Sequence, residues 1–223
     1  MRVPPSLWSD RRAAGLELAQ RLGAWANQAG STTVIGLPRG GIAVAAAVAQ
    51  ELNLPLASWS VRKLARASAP EYAVGALAPG GVVLWNPAAP ATAALSVQER
   101  QQLVSEATSE LKRRALRFGD PDSSSLKGRR LIVVDDGVAT GMTVRVALQS
   151  LRRCEPQQLV LAVPVLDRSL IPQLRPLVDA LVTVVAVDGL RAVGAFYDDF
   201  AQLSDEAVET LLRQAGPSTC RST

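Results

Sequence analysis

The chain has 223 residues, of which 48% are hydrophobic and 20% charged, with a formal net charge of +4; that is enough apolar material for one globular domain with a sizeable core. Aromatics make up only 4% of the chain, so the core is expected to be aliphatic, and the mild basic excess lacks the concentrated Lys/Arg stripe of a nucleic-acid binder. There is no histidine, which excludes Ser-His-Asp and Cys-His catalysis and any His-ligated metal, and Cys154 and Cys220 form neither a disulfide framework nor a zinc spacing.

The first residues, Met1-Arg2-Val3-Pro4-Pro5, lack the apolar core of a signal peptide, and no apolar run is long enough to span a bilayer. The expected setting is therefore the cytoplasm, without a membrane partner. Residues Asp10 to Ala29 predict a helix, with Leu18, Leu22, Trp25 and Ala26 on one face. Thr33–Leu37 is rich in β-branched residues and reads as a strand. Pro38-Arg39-Gly40-Gly41 is a turn, Ile42–Leu52 a buried Ala-rich helix and Leu56–Val61 a second strand. This βαβ unit implies parallel strands joined by a right-handed crossover.

Residues 66–81 mix Pro, Gly and short apolar pieces and read as a long excursion with a loose hairpin, followed by a strand at Val82–Trp85. After a Pro/Ala-rich linker, Ser96 and Glu99 form a capping box that opens a helix to Phe118. Leu131–Val134 is apolar throughout, as expected of a central strand buried on both faces, and a helix from Met142 to Arg153 follows it. Two more buried strands are expected at Leu159–Val165 and Leu181–Val187, with a helix between them. Ser204 caps a last helix whose first turn carries Asp205 and Glu206. The alternation defines an α/β fold: a mostly parallel central sheet with helices on both faces.

Chemistry concentrates at the end of the apolar Leu131–Val134 run. In open α/β sheets ligands bind beyond the carboxyl ends of the strands, which is where Asp135 and Asp136 stand. Gly137-Val138-Ala139-Thr140-Gly141 then turns into a helix whose N-terminus, with the hydroxyls of Thr140 and Thr143, makes a cup for a phosphate. Carboxylates at the lip of such a cup would repel the phosphate itself. Their natural partners are hydroxyls, such as a ribose diol, or a divalent cation, so a ribose 5-phosphate fits the pattern. A Walker loop would need Gly-Lys-Ser/Thr where Gly141-Met142 stands, and a G-x-G-x-x-G fingerprint is absent.

The segment Val133-Val134-Asp135-Asp136-Gly137-Val138-Ala139-Thr140-Gly141-Met142-Thr143 resembles the phosphoribosyl-diphosphate motif of type I phosphoribosyltransferases. Gly36-Leu37-Pro38-Arg39-Gly40-Gly41, Val61-Arg62-Lys63-Leu64 and Tyr197-Asp198-Asp199-Phe200 resemble a group of bacterial phosphoribosyltransferases of unassigned substrate, and the likeness runs from about Asp10 to Leu212. The resemblance implies one domain over residues 1–223, with a small hood from the chain ends to which residues 188–216 contribute, and a mobile loop over about 64–81. It implies transfer of ribose 5-phosphate from phosphoribosyl diphosphate to a nitrogen nucleophile, with release of pyrophosphate. Gly137, Val138, Ala139, Thr140, Gly141 and Thr143 would bind the 5-phosphate, and Asp135 and Asp136 the diol and, through ribose or water, Mg2+. Arg39, Gly40, Gly41, Arg62 and Lys63 would bind pyrophosphate. Glu71, the loop's acid, would serve as general acid or base, and Phe196, Tyr197, Asp198 and Asp199 would meet the acceptor. Ala139 stands where relatives acting on 6-oxopurines carry a carboxylate and resembles the adenine-type loop instead. A homodimer is compatible with this picture. The rival is a non-catalytic sensor of phosphoribosyl diphosphate or a nucleotide.

Overall fold

The structure, a computed structural model, describes residues 6–66 and 73–215. A five-stranded sheet holds β2 (Leu56–Ser58), β1 (Thr32–Gly36), β6 (Arg130–Val134), β7 (Gln158–Asp167) and β8 (Ala180–Val187), in that spatial order. Every adjacent pair is parallel. The all-apolar β6 is the middle strand, as its composition requires.

Strand side chains alternate between faces, and the register turns that alternation into two layers. Val34, Ile132 and Val160 are aligned and pack under α1 (Arg11–Gln20) and α2 (Gly40–Leu52). Their neighbours Ile35, Val133 and Leu161 pack on the other face with α6 (Met142–Arg152) and the single turn α7 (Ile171–Leu174). The helices α1 and α2 approach closely at Gly15, where a Cβ would lie 2.6 Å from the Val44 carbonyl oxygen.

Three expectations change. The helix expected over 10–29 stops at Gln20 and gives way to a 3-10 turn at Gly23–Trp25, and Asn27 takes a left-handed φ of 60°. The strand expected over 56–61 ends at Ser58, because Asp120 gathers the segment that follows: its carboxylate accepts from the Ser58 hydroxyl and, at 2.7 Å, from the Ser60 N–H. Arg62 and Lys63 therefore open β3 (Arg62–Ala65) of a second sheet rather than ending a strand of the first. That sheet is antiparallel, with β3, β4 (Ala73–Ala78) and β5 (Val82–Trp85) in order. Within the stretch expected as a mobile loop over 64–81, residues 64–65 and 73–78 are thus paired backbone, held because Leu64, Val74 and Leu77 pack on Ala107 and Leu111 of α4 (Val97–Phe118). Glu71 lies outside the described residues. Short turns α3 (Pro90–Ala93) and α5 (Ser123–Leu126) flank α4, whose Ser96/Glu99 capping box is present.

The segment before α1 meets the segment that follows β8. The Leu7 and Trp8 N–H groups both donate to the Phe196 carbonyl, at 3.0 and 3.1 Å, and the Asp198 N–H returns a bond to the Trp8 carbonyl at 2.9 Å. Trp8, Tyr197 and Leu190 bury one another against Val165. The last helix, α8 (Asp205–Gln214), seats Val208 against Ile42 and Phe118, and Arg117 of α4 donates to Asp205, Glu206 and Glu209 along it. No helix among the described residues is long and apolar enough to cross a membrane.

Candidate active site

From β1 the chain passes through α2 to β2 on one side, whereas from β6 it runs through α6 to β7 and β8 on the other. The β1/β6 boundary is therefore where strand order reverses, the crevice in which open α/β sheets bind ligands. Two turns meet there. The Leu37 N–H bonds to the Val134 carbonyl at 3.0 Å, which carries the β1 turn against the end of β6. The Pro38–Arg39 peptide bond is cis. A Cβ on Gly40 would stand 1.9 Å from Asp136 Oδ2, and one on Gly41 would stand 2.8 Å from Asp135 Oδ1 and 2.9 Å from the Val134 carbonyl oxygen. Both glycines of Arg39-Gly40-Gly41 are thus required by clearance to the two carboxylates.

The loop after β6 is pinned from beneath. The Val138 N–H bonds to the Val165 carbonyl, and the Asp167 N–H to the Val138 carbonyl, each at 2.9 Å. Gly141, at φ 73°, is the N-cap of α6 and offers no capping side chain. The first amides of α6 are therefore left for an external acceptor, the arrangement that receives anions at helix starts. Thr140 is exposed beside them, and Ala139 and Thr143 are half-buried.

The two carboxylates are held differently. Asp135 Oδ1 accepts from the Asp136 N–H at 2.9 Å. Asp136 Oδ2 accepts from Arg11 Nε at 2.9 Å, and the Tyr197 hydroxyl donates to the Asp136 carbonyl at 2.6 Å. Burial pushes the Asp135 carboxyl well above its usual range, the adjacent Asp136 charge pushes it further, and Lys63 and Arg11 pull it back. Burial also raises Asp136, against the opposing hydrogen bond and charge of Arg11. Lys63 is exposed on β3 and Arg62 half-buried. Arg39 lies 3.8 Å from Asp205 Oδ1, beyond hydrogen-bonding distance, and lines a cavity of about 400 Å3 with Arg11, Gly40, Phe200, Gln202 and Leu203.

Within the aromatic segment, Tyr197 departs from expectation. Tyr197 is only 5% exposed, its ring centroid 5.4 Å from Trp8 and 5.0 Å from Phe200, and its hydroxyl is spent on Asp136. At that burial the ring is closed to an acceptor. Asp198 accepts from the Ser6 hydroxyl, Asp199 accepts from the Ala201 N–H at 2.9 Å, and Phe196 is half-buried. Phe200 is the aromatic residue that faces the cavity.

Arg11 is the site residue that sequence reasoning missed. It is 9% exposed, donates from Nη1 to the Ala201 carbonyl at 3.0 Å, and lays its guanidinium 3.8 Å above the Phe200 ring. One signal was present: Arg11 and Arg12 open α1 with no acid in its first turn, where the helix dipole disfavours cations.

What these elements compose is an α/β protein with a candidate anion site at its strand-order reversal, and comparison with known proteins gives its family. The chain belongs to the phosphoribosyl transferase domain family, whose model matches residues 12–187. Two proteins of Mycobacterium tuberculosis, from strains CDC 1551 / Oshkosh and ATCC 25618 / H37Rv, are each described as a candidate phosphoribosyl transferase and are 40% identical over 215 residues. The match covers 94% of this chain and 47% of theirs, so the chain spans about half the length of the curated relatives it matches. The crystal structure of TT1426 from Thermus thermophilus shares the fold with a TM-score of 0.72 at 33% identity, over 94% of this chain and 99% of that one.

Proposed function

We propose that the protein transfers ribose 5-phosphate from phosphoribosyl diphosphate to a nitrogen nucleophile and releases pyrophosphate. The observation that carries the reading is the seating of Asp135 and Asp136 against the Gly40–Gly41 turn, beside an uncapped helix start. One ligand is divided between two turns. The Gly137–Gly141 loop, with Thr140 and Thr143, takes the 5-phosphate. The carboxylates take the ribose diol and favour positive charge on the ribose. Arg39, Gly40 and Gly41, with Lys63 and Arg62 from β3, take the pyrophosphate. Glu71, on the connection between β3 and β4, is the acid–base group of the reading.

Catalysis in this scheme is positioning and electrostatics, with charge-stabilising groups fixed before the ribosyl cation develops. The donor set suits a hard divalent cation such as Mg2+, bound partly through ligand oxygens and water: two adjacent carboxylates stand at the lip, and no group of three or more candidate ligands occurs among the described residues. Asp135 and Asp136 would hold the ion through water or ribose oxygens, and it would neutralise charge on the leaving pyrophosphate. The deciding experiment is incubation with labelled phosphoribosyl diphosphate, Mg2+ and a panel of nucleobases, with pyrophosphate release as readout. Release that depends on one acceptor supports transfer. Tight binding without turnover would make the protein a sensor, and absence of binding would end both readings.

A further inference from the structure

We propose that Arg11 is a positioning residue that fixes the Asp136 carboxylate for its ligand and ties it to the hood; the inference rests on the phosphoribosyl-diphosphate reading. Arg11 stands at the end of α1 where the dipole is positive, and it is buried where its neighbour Arg12 is exposed. Burying a guanidinium there is unfavourable unless its environment compensates it. Three partners do so, from two distant parts of the chain: Asp136 after β6, and the Ala201 carbonyl and the Phe200 ring near the C-terminal end of the fold. Arg11, Phe200 and Ala201 all fall outside residues 12–187, so the contact joins the two flanks of the family-matched segment across its motif acid.

The clasp has two consequences. Because Asp136 Oδ2 is committed to Arg11 Nε, a ribose hydroxyl meets the other oxygen, Oδ1, in a fixed orientation. Gly40 confines the same oxygen, since even a Cβ there would overlap Oδ2 and lie 3.1 Å from Arg11 Nε. The guanidinium charge also offsets a buried carboxylate that would otherwise repel a ligand carrying several phosphate charges. Movement of Phe200 or Ala201, which wall or adjoin the cavity, acts on Asp136 through the same side chain.

The test is calorimetric titration of Mg2+–phosphoribosyl diphosphate into wild type, Arg11→Met, Arg11→Lys, Asp136→Asn and the Arg11→Met/Asp136→Asn double variant, with a thermal melt of each. Arg11→Met should weaken binding about tenfold or more, the size of a lost charged hydrogen bond. Arg11→Lys, which keeps the charge without the planar fork, should recover part of it. In the Asp136→Asn background the Arg11→Met change should alter affinity by less than about twofold, because the group it positions is already gone. A residue that only supports the fold would lower the melting temperature and give equal losses in both backgrounds. That additivity, or Arg11→Met affinity within about twofold of wild type, would overturn the proposal while leaving the functional reading intact. Should Arg11→Met fail to fold, Arg11→Lys in both backgrounds carries the same comparison. Wild type that binds no phosphoribosyl diphosphate would sink the functional reading, and this inference with it.

Discussion

The turn after β1 and the loop after β6 each carry two glycines and use them for different reasons. In Arg39-Gly40-Gly41 neither glycine has a positive φ, and what forbids a side chain is the presence of Asp135 and Asp136. In the loop, Gly137 is pressed by Val193 and Val165, where a Cβ would lie 2.5 and 2.7 Å from their methyl carbons, and Gly141 needs its left-handed φ to start α6. Gly40 is a demand of the site, Gly41 of the site and of the strand end beneath it, and the two loop glycines are demands of the fold. Function and stability should therefore separate most cleanly at Gly40.

Gly41→Ala should break that separation most strongly. Its Cβ would meet β6 backbone, 2.9 Å from both Asp135 Cα and the Val134 carbonyl oxygen, so the strand end itself must move. A loss of about 1–3 kcal/mol is expected, as for overpacking, read as a lower melting temperature together with lost binding. Gly40→Ala should sharpen it. That Cβ displaces only the Asp136 carboxylate and its Arg11 partner, so pyrophosphate release should fall by up to about 100-fold, as a misplaced catalytic contact can, with little change in the melt. An equal loss of stability in both variants would erase the distinction.

Arg39→Ala probes what the first turn is for. Among the described residues Asp205 Oδ1 is buried without a hydrogen-bond partner, and Arg39 pairs with it only as a long ion pair of 3.8 Å, which leaves its N–H donors for phosphate. Phosphoribosyl diphosphate should bind roughly tenfold more weakly, while a product nucleotide, which has no pyrophosphate, should bind nearly as before. Equal losses for both ligands would remove pyrophosphate from this turn.

The smallest effect concerns pH. A carboxyl whose folded pKa is raised keeps its proton longer in the folded state, so stability falls as pH rises from the unfolded value, about 3.9, through the raised one. Asp135→Asn keeps an acceptor for the Asp136 N–H and removes that dependence. It should melt higher than wild type at neutral pH, with the gain shrinking as pH falls to about 4. A variant that melts lower at neutral pH would show that the Asp135 charge stabilises the fold.

Local patterns carried much of this into the sequence. The apolar run of β6 marked its central place, Ser96 and Glu99 marked the start of α4, and the Asp135–Thr143 pattern showed strand, acids, glycine turn and helix in order. What stayed hidden depended on partners far along the chain. Arg11 and Asp136 are 125 residues apart, and Asp120 reaches back 60 and 62 residues to Ser60 and Ser58 to end β2. No periodicity records such pairings. Tyr197 misled for a related reason: an aromatic beside two acids suits a ring-binding motif and a junction of chain ends equally well, and only the position of Trp8 separates them.

The same junction gives the molecule an optical probe of its own. Of the four tryptophans, Trp8 alone abuts Tyr197, whose hydroxyl reaches the Asp136 carbonyl. Trp25 bonds to Gln158, Trp59 to Ser150 inside the core, and Trp85 lies under Arg100. With those three replaced by phenylalanine, indole emission would come from one place, a tyrosine's width from the backbone of Asp136. Ligand arrival could then be followed on the stopped-flow timescale without a label, from an indole whose Nε1 is already anchored to Glu17 at 2.8 Å.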